Sequence, residues 1–162
     1  MAQDLNKKQI LLVDADLRRT NISKYLGLNK QAGLSEVLSD NLPVQEALLN
    51  IGVDNLTVLT AGKVPHNPAE LLGSSKLRNM IQELRQKYDF IIFDTPPLIP
   101  VTDAGLVGAQ TDGAVMVIKA NKTQRGIVKH SQELLAQAQC KLLGYILTNI
   151  QYHIPGYIYR YL

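Results

Sequence analysis

The chain is poor in the features that would take it out of a reducing cell interior or into a membrane. Its 162 residues include one cysteine, Cys140, so no internal disulfide can form, and a buried thiol in the cytoplasm is the expectation. No block of five or more Lys and Arg occurs and the net charge is only +3, which leaves no electrostatic footprint for a nucleic-acid partner. No apolar run approaches the roughly 20 residues of a membrane-spanning helix. Residues 1–8 are polar and lack the apolar centre of a signal peptide. Membrane contact is therefore expected only through a partner. No His/Cys spacing suits zinc, and the isolated His66 and His130 carry no chemistry by themselves.

What is present is the composition of one globular domain, 46% hydrophobic and 19% charged. Five apolar runs, 10–13, 56–60, 90–93, 114–118 and 142–147, are short and rich in β-branched residues. Most are continuous rather than alternating, as in parallel strands covered on both faces. Between them, 75–87 places Leu77, Ile81 and Leu84 at helical spacing, and 123–139 does so with Ile127, Leu134 and Leu135 behind Thr123 as N-cap. Shorter helices are expected over 17–26, 34–38 and 44–49. The alternation predicts an α/β domain over 1–150, with a doubly wound, mostly parallel sheet and helices on both faces. Residues 151–162 break the pattern and form a tail containing four tyrosines.

Two strand ends carry carboxylates. In Ile10-Leu11-Leu12-Val13-Asp14-Ala15-Asp16-Leu17-Arg18-Arg19, a buried strand runs into Asp14 and Asp16. Ligands of open parallel sheets sit at the carboxyl ends of strands. Two residues apart in extended chain, both acids would face one side. One could hold a water of a bound Mg²⁺ and the other could take a proton from an attacking hydroxyl; a turn that simply needs Asp explains the pair equally well. In Tyr88-Asp89-Phe90-Ile91-Ile92-Phe93-Asp94-Thr95-Pro96-Pro97, four apolar residues precede Asp94 in a Walker B pattern. A hard cation such as Mg²⁺ takes one or two carboxylates together with phosphate oxygens and water. Arg18 and Arg19 could meet a phosphate or an acidic neighbour, and Lys119 and Lys122 read as exposed.

Together these segments resemble the bacterial tyrosine kinases of capsule and exopolysaccharide synthesis. Val13-Asp14-Ala15-Asp16-Leu17-Arg18-Arg19 is similar to their Walker A′ motif, and Phe93-Asp94-Thr95-Pro96-Pro97 to their Walker B motif. The stretches 33–38, 59–72, 101–104 and 111–113 are also similar to segments of that family. The partition and septum-placement ATPases share the aspartates but usually lack Asn67-Pro68-Ala69-Glu70-Leu71-Leu72 and the tyrosine tail. The resemblance implies a P-loop NTPase-like fold, ATP and Mg²⁺ as cofactors, and Asp14, Asp16 and Asp94 as catalytic residues, with Asp14 and Asp94 on the metal. It implies a nucleotide contact for Arg18. Asn149 could meet an adenine edge or cap its strand. It makes Tyr152, Tyr157, Tyr159 and Tyr161 autophosphorylation targets, where an amphipathic aromatic tail packing on its own domain is the alternative. It implies a membrane polysaccharide co-polymerase, a chain-length determinant, as partner, and a homo-oligomer broken when the tail is phosphorylated.

One expected part is missing from these 162 residues: no G-x-x-x-x-G-K-[ST] occurs, and none of the nine residues before Ile10 is glycine. Such a loop grips phosphates with backbone N–H groups and a lysine. Three functions stay open: a tyrosine kinase without its N-terminal part, a non-catalytic kinase-like module that binds a co-polymerase or a complete kinase, and a partition-type ATPase. In the family the P-loop strand lies between the strands 90–93 and 114–118. Without it, three resolutions are expected: these strands close on each other, residues 1–8 fill the gap, or the edges attract other chains.

Overall fold

The computed structural model describes residues 8–28 and 31–150. Its central strand, β1 (Ile10–Asp14), is laddered on both sides. Leu11 and Val13 are fully buried on one face, and Ile10 and Leu12 are half-buried on the other. The short helices α1 (Ile22–Tyr25), α2 (Leu34–Ser39) and α3 (Val44–Ala47) follow, then strands β2 (Leu48–Asn50) and β3 (Leu56–Leu59). Helices α4 (Pro68–Leu72) and α5 (Ser75–Leu84) lead to β4 (Phe90–Asp94). The chain continues through α6 (Asp103–Gly108), β5 (Ala114–Lys119), α7 (Arg125–Gln137) and β6 (Leu142–Thr148).

The fold is mixed α/β with mostly parallel strands, and the sheet comes in two blocks. The first has the order β2-β3-β1-β4, with β1 parallel to both β3 and β4 and β2 antiparallel to β3. The second is the parallel pair β5-β6. Strands β4 and β5 do not pair with each other, so direct closure of the two strands, one of the three expected resolutions, does not occur among the described residues. Residues 1–7 lie outside them. Lys8 and Gln9 lead straight into β1: Lys8 Nζ meets Asp89 Oδ1 at 2.9 Å and Gln9 N donates to Asp89 Oδ2 at 2.9 Å. These bonds hold the Asp89 carboxyl below its ordinary pKa, the Lys8 contact first.

One face of the first block carries the core. Leu11, Val13, Ile91 and Phe93 pack there with Leu34 and Leu38 of α2, Leu72 of α4, the apolar stripe Leu77, Met80, Ile81 and Leu84 of α5, and Val107 of α6. The other face, with Phe90 and Ile92, is about half exposed. Helix α6 packs on α4 and α7, and α7 packs on β6, so helices carry the contact between the two blocks.

Several elements differ from the sequence pattern. The helix expected over 44–49 stops at Ala47, because Leu48, Leu49 and Asn50 pair antiparallel with Leu59, Val58 and Thr57. The helix expected over 17–26 is confined to Ile22–Tyr25, since the Asp16 side chain diverts 16–19 into a turn by accepting from Arg18 N and Arg19 N. Thr123 is not the cap of α7. Gln124 occupies that position, and Thr123 Oγ1 accepts from Lys119 N at 3.3 Å. Helices α4 and α6, five and six residues long, are too short to register as a periodicity.

A close approach locks α2 to the segment after β3. Leu34 N donates to Thr60 O at 2.8 Å and Ser35 N to Ala61 O at 3.0 Å, satisfying amides that a helix start leaves unpaired. A Cβ on Gly33 would lie 2.2 Å from Thr60 O and 2.4 Å from Gly62 N, both backbone atoms that cannot swing aside. Gly33→Ala is expected to destabilise the fold by about 2 kcal/mol or more, read as a lowered urea midpoint; an unchanged midpoint would show that the two segments separate freely.

Candidate active site

The parallel register of β1 on β4 sets Asp14 directly opposite Asp94, and Ala15 N extends the ladder by donating to Asp94 O at 2.8 Å. The two strand-end carboxylates expected to converge are therefore neighbours across one ladder rung. Asp16 lies beyond the strand, in the turn, so it does not share an extended face with Asp14. It is brought back by a hydrogen bond, Asp16 N to Asp14 Oδ1 at 3.2 Å. Asp14 has no exposed surface, Asp16 is nearly buried and Asp94 is exposed.

Burial pushes the Asp14 carboxyl up to about 6; hydrogen bonds from Ile22 N (3.3 Å) and Asp16 N oppose the shift, and the charges of Asp94 and Asp16 add to it. Asp94 is also raised, by desolvation of its carboxyl at the crowded strand end and then by Asp16. Three acids sharing one strand end is an arrangement that favours a bound cation or a shared proton. Among the described residues no group of three or more His, Cys, Asp or Glu side chains forms a metal-binding cluster. The donor set fits a cation held by one or two carboxylates with its other positions on water or phosphate, which is the habit of Mg²⁺.

Arg18 is engaged elsewhere. Its Nε meets Asp103 Oδ2 at 2.7 Å and its Nη2 meets Asp103 Oδ1 at 3.0 Å, a two-point fork that holds its pKa above the usual value. Asp103 is fully buried in the first turn of α6. The Val101-Thr102-Asp103-Ala104 segment stood out in sequence, but nothing in it marked Asp103 as the partner of an arginine 85 residues away. Asn149 is exposed just past β6 with φ 56°, and among the described residues no hydrogen bond joins it to the three acids. Tyr152, Tyr157, Tyr159 and Tyr161 lie outside the described residues. Glu36, which the sequence did not single out, is a buried acid serving structure: its Oε2 accepts from Gly33 N at 2.8 Å and its Oε1 from Lys63 N at 3.2 Å.

A family model described as an AAA domain matches residues 1–144. Tyrosine-protein kinase YwqD of Bacillus subtilis is 39% identical over 141 residues, which cover 87% of this chain and 60% of that protein. The kinase domain of the Escherichia coli tyrosine kinase ETK superposes with a TM-score of 0.88 at 30% identity, over 95% of this chain and 60% of that one. The VpsO kinase domain does so with a TM-score of 0.84 at 32% identity, over 93% of this chain and 75% of that one. The chain belongs to the bacterial tyrosine-kinase family. It spans about three-fifths of YwqD and a fifth of the tyrosine-protein kinase ptk of Acinetobacter johnsonii, to which it is 36% identical. The MinD cell division protein of Aquifex aeolicus, at 21% identity and a TM-score of 0.71, shares the fold alone. Within the kinase-family chain, no described helix is long and apolar enough to cross a membrane.

The raised pKa of Asp14 gives a sign to its pH dependence. The folded state binds a proton more tightly than the unfolded chain, so this group's contribution to stability is fully present below about 4 and is lost as pH rises through about 6. Asp14→Asn keeps the shape and removes the buried charge. One of the two backbone hydrogen bonds is lost with the second oxygen, so the expected signature is a difference: relative to the wild type the variant gains up to about 3 kcal/mol between pH 4 and pH 7.5, roughly two pKa units at about 1.4 kcal/mol each. Urea midpoints at pH 4 and pH 7.5 check this, and an equal difference at both would remove burial as the cause.

Proposed function

We propose that this chain carries the carboxylate half of an ATP–Mg²⁺ site for protein-tyrosine phosphorylation in capsule or exopolysaccharide synthesis. The observation that carries the reading is the Asp14–Asp94 rung, with Asp16 hydrogen-bonded to Asp14 at its end. Asp14 and Asp94 would hold Mg²⁺, directly or through its waters. Bound there with ATP, the metal would offset the charge of the phosphate oxygens. Asp16 is the candidate base. Two backbone amides, Arg18 N and Arg19 N, bond its Oδ1 and fix the carboxylate in the turn. A tyrosine hydroxyl presented there would give its proton to Asp16 as its oxygen bonds to the terminal phosphorus of ATP, while the bond from that phosphorus to the bridging oxygen breaks and ADP leaves with the electron pair. Arg18 could reach a phosphate only by leaving Asp103, so its role here is to fix the turn that carries Asp16.

Proton and metal compete for Asp14. With its carboxyl near 6, the acid is mostly ionised at pH 7.5 and mostly protonated at pH 5, so cation binding should fall over that interval. The tail tyrosines are the proposed phosphate acceptors. A phosphate on each adds roughly −1.5 to −2 charge, enough to undo docking of the tail on a neighbouring subunit. A membrane polysaccharide co-polymerase is the proposed partner, and its contact would bring the chain to the membrane.

The 162-residue chain has no glycine-rich phosphate grip in its sequence. Carboxylates that hold a metal chiefly through bound phosphates do not bind the nucleotide by themselves. The purified chain is expected to show no micromolar ATP–Mg²⁺ binding by calorimetry and no tyrosine phosphorylation on incubation with ATP. Either signal would sink this account. With YwqD added as a complete kinase, the chain is expected to be phosphorylated on tyrosine, and a Tyr152/Tyr157/Tyr159/Tyr161→Phe variant is not. A second reading is a kinase-like module that acts by binding a co-polymerase or a complete kinase. On that reading neither Asp16→Asn nor Asp94→Asn alters the chain's effect on a complete kinase.

A further inference from the structure

Arg18 stands between two acids. Its backbone N–H donates to Asp16 Oδ1 at 3.2 Å, while its guanidinium forks onto Asp103 at 2.7 and 3.0 Å. The amides of Arg18 and Arg19 both fall on Oδ1 of Asp16, which leaves Oδ2 with no hydrogen-bond partner among the described residues. A guanidinium on a flexible stem, two residues along the same turn, lies within reach of that open oxygen. The hydrogen bonds to Asp103 dominate the raised pKa of Arg18, and the Asp16 charge adds to it. The Arg18 side chain is 41% exposed and that of Asp103 is wholly buried, so the acid is fixed by the fold and the arginine is the partner able to move.

Two carboxylates therefore compete for one guanidinium. Asp103 wins on geometry and on burial. The fork gives it two charge-assisted bonds at once. It has no water to fall back on, so without Arg18 its charge stays uncompensated. Asp16 keeps its two amide donors either way. An Arg18–Asp16 pair would close the oxygen that a proton acceptor needs open. It would also set a positive charge beside Asp14 and Asp94, where a cation is to bind.

We propose that Asp103 is a positioning residue that acts through Arg18, holding the guanidinium away from Asp16 so that Asp16 Oδ2 stays open and the three acids keep their negative charge. Helix α6 thus does more than lead from one block to the other, since its first turn supplies the competing acid. The choice of partner by Arg18 is independent of what the acids do. The consequence for proton transfer rests on the kinase reading above.

The test is proton exchange at Arg18 Nε, followed by nitrogen-edited NMR on the full 162-residue chain. In the wild type this N–H is protected by Asp103, and Asp16→Asn is expected to leave it protected. In Asp103→Ala it moves to Asp16 and still exchanges about tenfold more slowly than a free arginine. Adding Asp16→Asn to that variant is expected to remove the protection, while the Asn oxygen still accepts from the turn amides. Exchange at the free rate in Asp103→Ala overturns the proposal. So does protection that survives the added Asp16→Asn. Mn²⁺ binding, read from water-proton relaxation, is the second measurement. Asp103→Ala is expected to weaken it about tenfold through the relocated charge. Arg18→Met/Asp103→Ala should recover to within about threefold of the wild type. A merely structural tether is broken in both variants and predicts equal weakening, a result that overturns the proposal. Asp103→Asn, which keeps the side-chain volume, replaces Asp103→Ala where the latter does not fold. The exchange measurement needs neither metal nor nucleotide. Absence of Mn²⁺ binding by the wild-type chain sinks the kinase reading, and the exchange result still decides the role of Asp103.

Discussion

The arrangement of the molecule depends on how one buried charge is met. Asp103 has no exposed surface, and a carboxylate taken out of water needs a partner of opposite charge in good geometry. Arg18 supplies it with a two-point fork from 85 residues away. The fork holds the turn that follows β1 against the first turn of α6, the helix that leads from one sheet block to the other. An acid in that first turn also meets the positive end of the helix dipole. Among the described residues no ladder joins β4 to β5, and this pair and the packing of α6 on α4 and α7 align the two blocks. The same turn presents Asp16, so the position of a chemical group and the placement of the second block share one fastening.

Four acids of the chain show how surroundings decide what a carboxylate does. Asp14 is buried with two backbone amides and no cation, and its pKa climbs to about 6. Asp94, across the rung, is driven the same way by desolvation and by Asp16. Asp89, at the opposite end of β4, meets Lys8 in solvent and is driven down. Asp103 is spent on Arg18. The acids with raised pKa values gather at the carboxyl end of β1 and β4, and the charge-compensated ones lie outside that cluster, which marks off the chemical part of the molecule from the structural part.

Much of this was legible in the residues because the parallel strands write themselves as continuous apolar runs, although among the described strands only β1 and β3 bury side chains fully. All five expected strands are present, each within a residue of its expected ends, and the strand-end positions of Asp14 and Asp94 followed from them. Short elements were not legible. Leu48–Asn50 continues the apolar pattern of α3, and only pairing with β3 turns it into a strand. Pro68–Leu72 and Asp103–Gly108 are helices of under two turns, too brief for a periodicity to declare itself. Leu17 looked helical but is drawn into a turn by Asp16, a competition between side chain and backbone that a hydrophobic pattern does not record. Long-range pairs such as Arg18 with Asp103 leave no local trace at all.

The contact between α2 and the segment after β3 binds the future of three positions together. Glu36 bridges Gly33 N and Lys63 N, and a Cβ on Gly62, itself at φ 79°, would fall 2.0 Å from Glu36 Oε2. A side chain at 62 therefore demands that the acid at 36 retreat, and an acid withdrawn from 36 strands two backbone donors. A Cβ at 62 would also lie 2.9 Å from Gly33 N, so the backbone at 33, the acid at 36 and the bare backbone at 62 constrain one another, and single replacements scanned across this region should give sharp losses at these three sites.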